Sequence, residues 1–262
     1  MKLAILFWFY KEPDVCENRL QLIKKFNPEL QIFGLFGGDS KETGQYQKKL
    51  GKYLDDFYTF DSNSEKNWKW INGDLIILDW YEKRGRILSW DSVVVIQWDA
   101  LVFDSIENQF EGIEKDQIFL SGLRKLDLEL ENQWYWTTPE RSERENYLNF
   151  LKYAKDEYEY VDEPMCCLFI FQIFPRFFFD KYLTVRDREV GMLEYKIPIY
   201  AKIFNIPVYE RNLGVGWKND EIRPLNAIPR EIKEEYINSE LRKPEGWRIF
   251  HPYYKSWPDS LL

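Results

Sequence analysis

The sequence predicts an α/β fold, a single-domain α/β/α sandwich with a mostly parallel central sheet. Three observations predict it. Apolar runs of strand length alternate with amphipathic stretches through the first hundred or so residues. The runs at residues 2–10 and 92–97 are apolar through their middles, as strands buried on both faces are. With 262 residues, 45% hydrophobic and 31% charged, the chain can bury a sizeable core and is neither disordered nor membrane-embedded by composition.

Residues 2–10 read as a buried first strand. The apolar run is too short for a secretory leader and no small-residue cleavage site follows it. Residues 14–26 carry Val15, Leu20, Leu22, Ile23 and Phe26 at helical spacing, with Asp14 as N-cap and Pro28 beyond the end. Residues 31–36 form a second strand closed by Gly37 and Gly38, residues 43–53 a second helix, and residues 57–60 a short third strand. This β-α-β-α-β opening implies parallel strands with covering helices. Asp74 caps a helix over residues 75–84. Residues 92–97, Ser-Val-Val-Val-Ile-Gln, are β-branched and form the clearest strand, ending in Trp98-Asp99. Residues 117–120, 133–137 and 165–173 read as strands, 139–158 as a charged helix with Pro139 in its first turn, and 191–204 as a helix. The last forty or so residues are rich in Pro and charge. With no repeat or linker, residues 1–262 read as one domain, a nucleotide-binding half over about 1–120 and an acceptor half with a C-terminal tail over about 121–262.

Charge and cysteine content exclude several functions. The net charge is −8 with acids and bases interspersed, so duplex nucleic acid, which needs clustered Lys and Arg, is not an expected partner. Cys16, Cys166 and Cys167 have no metal-type spacing and read as reduced, structural thiols. No apolar stretch approaches the length of a membrane span. The expected location is cytoplasmic, at most peripheral to the inner face of the membrane.

The first strand is followed by Phe9-Tyr10-Lys11-Glu12-Pro13 and not by a glycine-rich phosphate loop. Asp99 stands at the end of the Val-rich strand, where open α/β sheets bind ligands and where a hard divalent cation finds carboxylate and phosphate oxygens. Asp104 is either a group supporting it or a turn residue. His251, the only histidine, lies in Phe-His-Pro-Tyr-Tyr-Lys, and a neutral imidazole suits manganese as well as zinc. Lys255 offers a point charge to a phosphate. Glu194 opens an apolar helix, where it either serves the helix dipole or acts as a general base. Trp68, Trp70 and Asp74 read as a capped helix start or as groups that recognise a base or ribose.

Taken together, these stretches resemble glycosyltransferase-A type nucleotide-sugar transferases. The stretch Val93-Val-Val-Ile-Gln-Trp-Asp99 is similar to that family's strand-end Asp-x-Asp, with Gln97 in place of the first acid. His251 resembles its C-terminal metal-binding histidine, Glu194 its base in inverting members, and Phe9-Tyr10 its nucleotide-binding strand end. The resemblance implies a metal-dependent hexosyltransferase, with a part in polysaccharide biosynthesis consistent with the family. It implies a manganese or magnesium ion on Asp99 and His251, a nucleotide-diphosphate sugar donor meeting Phe9, Tyr10, Asp74, Trp98 and Lys255, and a glycan or lipid-linked glycan acceptor. Two rivals stand beside it: a sugar-phosphate nucleotidyltransferase, and a non-catalytic nucleotide- or glycan-binding scaffold on the same fold, which Gln97 favours.

Overall fold

A computed structural model describes residues 1–61, 66–217, 223–226 and 230–258. β1 (Leu3–Phe9) leads into α1 (Pro13–Phe26), and β2 (Gln31–Phe36) into α2 (Thr43–Leu50). β3 (Asp56–Thr59) precedes the helices α3 (Lys66–Ile71) and α4 (Gly73–Lys83). β4 (Ser92–Gln97) is followed by β5 (Leu101–Val102), α5 (Ile106–Gln109), β6 (Phe119–Leu120) and β7 (Arg124–Lys125). Next come α6 (Leu128–Gln133), α7 (Glu143–Tyr158), β8 (Met165–Cys166), β9 (Phe171–Pro175), α8 (Arg176–Tyr182) and α9 (Leu193–Ile203). β10 (Val215–Gly216), β11 (Leu225–Asn226), α10 (Glu234–Leu241) and β12 (Ile249–Phe250) complete the described elements.

The central sheet runs in the order β3-β2-β1-β4-β9-β6. β1 is parallel to β2 and β4, and β2 is parallel to β3. β9 is inserted antiparallel between β4 and β6, which makes the sheet mixed but mostly parallel. The chain builds outward from β1 to β3 and then reverses, laying β4 on the other edge of β1. This reversal sets a topological switch point at the carboxyl ends of β1 and β4, the usual ligand position in such sheets.

Side chains alternate across the sheet. Ala4, Leu6 and Trp8 pack with residues of α4, α7, α8 and α9. Leu3, Ile5, Phe7 and Phe9 pack with residues of α1 and α2. Burial on both faces is why β1 and β4 read as unbroken apolar runs. A third cluster joins Leu22, Leu101, Phe103, Phe250 and Trp257, and seats the C-terminal segment on α1 and β5.

Several expected boundaries are corrected. Residues 165–173 form two strands, because β8 pairs with β7 while β9 joins the sheet. The corner between them is fixed by buried Gln172, whose Nε2 donates to Leu168 O at 2.5 Å and whose Oε1 accepts from Ser121 N–H at 3.0 Å. Residues 133–137 are the end of α6 and a turn, in which Thr137 and Thr138 N–H groups donate to Trp134 O. α7 starts at Glu143, four residues after Pro139, and α10 lies in the Pro- and charge-rich tail, for which no element was assigned from sequence.

Candidate functional site

The switch point is lined by the residues that follow β1 and β4. Trp98 N–H donates to Trp8 O at 2.9 Å and carries the pairing one residue past β4. Strand alternation sends Trp8 and Tyr10 to one side and Phe9 to the other. Tyr10 meets Trp98 edge-on with ring centres 5.9 Å apart, and the Lys11 ammonium lies 4.8 Å from the Trp98 ring centre. Tyr254 stacks on Trp98 at 5.9 Å. Trp98 is thereby buried, while Tyr10 is 39% exposed and Tyr254 is partly exposed.

The C-terminal segment brings in the histidine. β12 pairs antiparallel with β5, Phe250 opposite Leu101, and His251 follows at once. Tyr253 N–H then donates to Asp99 O at 2.9 Å. His251 Nε2 comes to rest 3.4 Å from Asp99 Oδ1, with the two side chains 12% and 9% exposed. Asp99 Oδ1 and His251 Nδ1 are both buried without a hydrogen-bond partner. The segment is pinned from beneath by α1. Arg19 Nη2 donates to Tyr253 O and Lys255 O at 2.7 Å each. Asn18 and Trp257 exchange two hydrogen bonds, of 2.9 and 2.8 Å. Burial pulls the Arg19 guanidinium down to about 10, against the opposing pull of Asp99.

A carboxylate oxygen and an imidazole nitrogen facing each other fit a divalent cation of the magnesium or manganese kind, which takes its other ligands from water and substrate phosphate. Among the described residues no three His, Cys, Asp or Glu side chains converge where they could hold one ion. Gln97 does not add a third; its Nε2 donates to Phe169 O.

That Gln97–Phe169 link leads to Glu194. Pro198 lies inside α9 and has no N–H to give the carbonyl four residues back. Glu194 O is free to accept Cys167 N–H instead, at 2.8 Å. Phe169 N–H donates to Glu194 Oε1 at 2.8 Å, and the Trp136 indole donates to the same carboxyl group. Glu194 is closely surrounded by protein but keeps a solvent-accessible edge. Burial pushes its pKa up to about 7, in spite of the two donors, which pull it down.

The structure brings Tyr10 to Trp98 and His251 to Asp99 at the end of β4, links Glu194 to that strand end through Phe169, and does not place the Lys255 side chain against them. Lys255 Nζ pairs with Glu231 at 3.1 Å and is largely exposed. Two other expected site residues lie in the interior. Phe9 is fully buried among Phe7, Phe36, Tyr46 and Phe57, because its strand position points to the α1 side. Asp74 does not cap its helix; the N-cap is Asn72, and Asp74 lies in the first turn. Its Oδ2 is 2.9 Å from Lys196 Nζ, accepts from Tyr182 OH, and the carboxylate is 1% exposed. A buried ammonium needs that partner. Asp104 Oδ1 accepts from Ser105 N–H and Oδ2 from Gln109 at the start of α5, which makes it a turn residue.

Arg19, Trp136 and Lys196 were not anticipated. The one available signal was a lysine inside the apolar run Leu193-Glu-Tyr-Lys-Ile-Pro-Ile-Tyr200. Two surface cavities, of about 210 and 580 Å³, are lined by other residues and include neither the Asp99–His251 pair nor Glu194.

No family model matches the chain, and no curated protein matches it in sequence. Its structural neighbours are of low identity. The galactosyltransferase LgtC, solved with donor and acceptor sugar analogues, is 14% identical over 81% of this chain and 74% of its own, with a TM-score of 0.46. The bifunctional glycosyltransferase WbbM is 10% identical over 97% of this chain, with a TM-score of 0.49, and this chain spans 46% of it. A cytidylyltransferase from Leptospira borgpetersenii serovar Hardjo-bovis is 10% identical over 84% of this chain and 78% of its own, with a TM-score of 0.43. These likenesses concern the α/β fold alone.

Proposed function

We propose that this chain is a glycosyltransferase that moves a sugar from a nucleotide-diphosphate donor to an acceptor hydroxyl. One observation carries the reading: the buried Asp99–His251 pair, 3.4 Å apart with unpartnered polar atoms, stands at the switch point between β1 and β4. A pair placed there is suited to a ligand that brings its own phosphate oxygens.

Asp99 and His251 hold a divalent cation, which when bound supplies charge neutralisation for the departing diphosphate. Tyr10 offers its exposed face to the nucleotide base, while Trp98, edge-on to Tyr10 and itself stacked on Tyr254, fixes its position. Lys255 leaves its exposed pairing with Glu231 at little cost and lends a positive charge to the phosphates. Glu194, titrating near neutrality, takes the proton from the attacking hydroxyl in a reaction that inverts the anomeric centre. The Phe169 amide and the Trp136 indole hold its carboxyl in place. Gln97, turned to Phe169, favours a second reading in which the site binds nucleotide without metal and without turnover.

The test is release of nucleoside diphosphate from a panel of sugar nucleotides, with manganese and mixed saccharide acceptors. The expected result is release with one donor class by the wild type, and unchanged donor binding with turnover lost in Glu194→Gln. Wild-type turnover in that variant removes Glu194 as base. Pyrophosphate release from a nucleoside triphosphate would instead identify a nucleotidyltransferase.

A further inference from the structure

A lysine from the turn between β1 and α1 lies over the ring that precedes Asp99. The Lys11 ammonium is 4.8 Å from the Trp98 ring centre and 5.6 Å from that of Tyr10, and it makes no ion pair with a described residue. Other lysines around the switch point are engaged. Lys49 pairs with Asp14, Lys69 Nζ donates to Gly37 O and Gly38 O at 3.0 and 3.2 Å, and Lys255 pairs with Glu231. The acids closest to Lys11 in the chain are turned elsewhere. Asp14 faces Lys49, and the Glu12 carboxylate acts on Cys16 and Tyr46, which pack on the α1 side of the sheet. Beneath the Asp99–His251 pair, Arg19 is 1% exposed and, among the described residues, donates only to neutral oxygens of Asn18, Tyr253 and Lys255. Two cations without a carboxylate partner thus stand at one edge of a chain whose net charge is −8.

The backbone that carries Lys11 is fixed. Glu12 has φ 55° and ψ 66°, a left-handed conformation that is costly for a residue with a Cβ and more so before a proline. Cys16 enforces it twice. Its N–H donates to Glu12 O at 2.9 Å, and its thiol donates to Lys11 O at 3.2 Å. Such strain persists only where the surroundings impose it, and it gathers at ligand clamps and active sites. The Lys11 side chain, by contrast, is exposed and held only by the aromatic faces, a weak hold in contact with water. A phosphate oxygen offers an ammonium a charge-assisted hydrogen bond that an aromatic face does not. Two uncompensated cations beside a pair suited to a divalent cation call for a multiply charged anion rich in oxygen.

We propose that Lys11 is a phosphate-binding residue of this site, which reaches the diphosphate of the donor from the β1–α1 turn while Asp99 and His251 hold the cation. This rests on the transferase reading above and adds to it a phosphate contact made by one side chain where the turn has no glycine-rich loop.

The experiment titrates the full chain, in manganese, with uridine, cytidine, guanosine and adenosine diphosphates by calorimetry at low and at high potassium chloride. Lys11 is exposed, so Lys11→Met keeps the ligand-free unfolding temperature. At low salt Lys11→Met weakens binding of the diphosphate that the wild type takes by about tenfold, as loss of a charged hydrogen-bond partner does. The gap narrows at high salt, because an exposed charge is screened. Lys11→Arg recovers most of the affinity. Equal affinity in Lys11→Met and the wild type, or a loss that is the same at both salt concentrations and is not recovered by arginine, overturns the assignment of Lys11 while leaving the wild-type binding to speak for the transferase. A wild type that binds none of the four diphosphates removes the transferase reading and the Lys11 assignment with it.

Discussion

Glu194 shows how one carboxyl can be read from sequence and yet be incompletely described by it. Its place at the start of an apolar helix was visible. Its partners were not, because Phe169 and Trp136 come from distant segments. Pro198, four residues on, is the residue that releases its carbonyl to Cys167. The raised pKa fixes a direction for stability. Burial lifts Glu194 from 4.5 to about 7, so folding favours the protonated form. The stabilisation is complete below the unfolded value, is lost as pH rises through the folded one, and is then flat. Urea unfolding of the wild type and Glu194→Gln should show the variant gaining roughly 2–4 kcal/mol on the wild type between about pH 4 and pH 8. A difference independent of pH would contradict the burial account. Asp74 and Lys196 show the same limit of sequence reading. Each is an ordinary charged residue in its own helix, and only tertiary packing makes them a buried pair.

At the scale of elements, the first half of the chain was legible because its strands and helices alternate locally. The strands over residues 31–36 and 92–97 were read with the boundaries they have. The second half was not, because its pairings are set by distant partners. β9 finds its place between β4 and β6, and a corner over residues 167–170 divides what reads as one apolar strand. The C-terminal segment is the element on which the candidate metal pair depends. Two hydrogen bonds between Asn18 and Trp257 hold it to α1, a link no local pattern reveals. Asn18→Ala removes both and leaves two backbone groups unpaired, at a cost of about 1–3 kcal/mol in denaturant unfolding. Loosening the segment should also weaken manganese-dependent nucleotide binding. Undiminished affinity would mean that β12 and Tyr253 position His251 without that anchor.

At the scale of the molecule, strand order does most to place function. The order β3-β2-β1-β4 puts the reversal between β1 and β4, and so gathers Tyr10, Trp98 and Asp99 at one edge. The resemblance in sequence set Asp99 and His251 on one ion; what no local pattern revealed is the β5–β12 pairing that lays the two side chains 3.4 Å apart. Among the described residues no helix is long and apolar enough to cross a membrane.

The most direct test of the central claim is thermal unfolding of the wild type and Asp99→Ala with a panel of nucleoside diphosphates, with and without manganese. The Asp99 side chain makes no hydrogen bond through Oδ1, and its backbone carbonyl still accepts Tyr253 N–H in the variant. The ligand-free unfolding temperatures should therefore nearly coincide. A ligand at about 100 times its dissociation constant adds roughly 2.7 kcal/mol to the folded state, an easily read shift. The account predicts a manganese-dependent shift with one nucleotide class in the wild type and its loss in Asp99→Ala. An equal manganese-dependent shift in Asp99→Ala would contradict it.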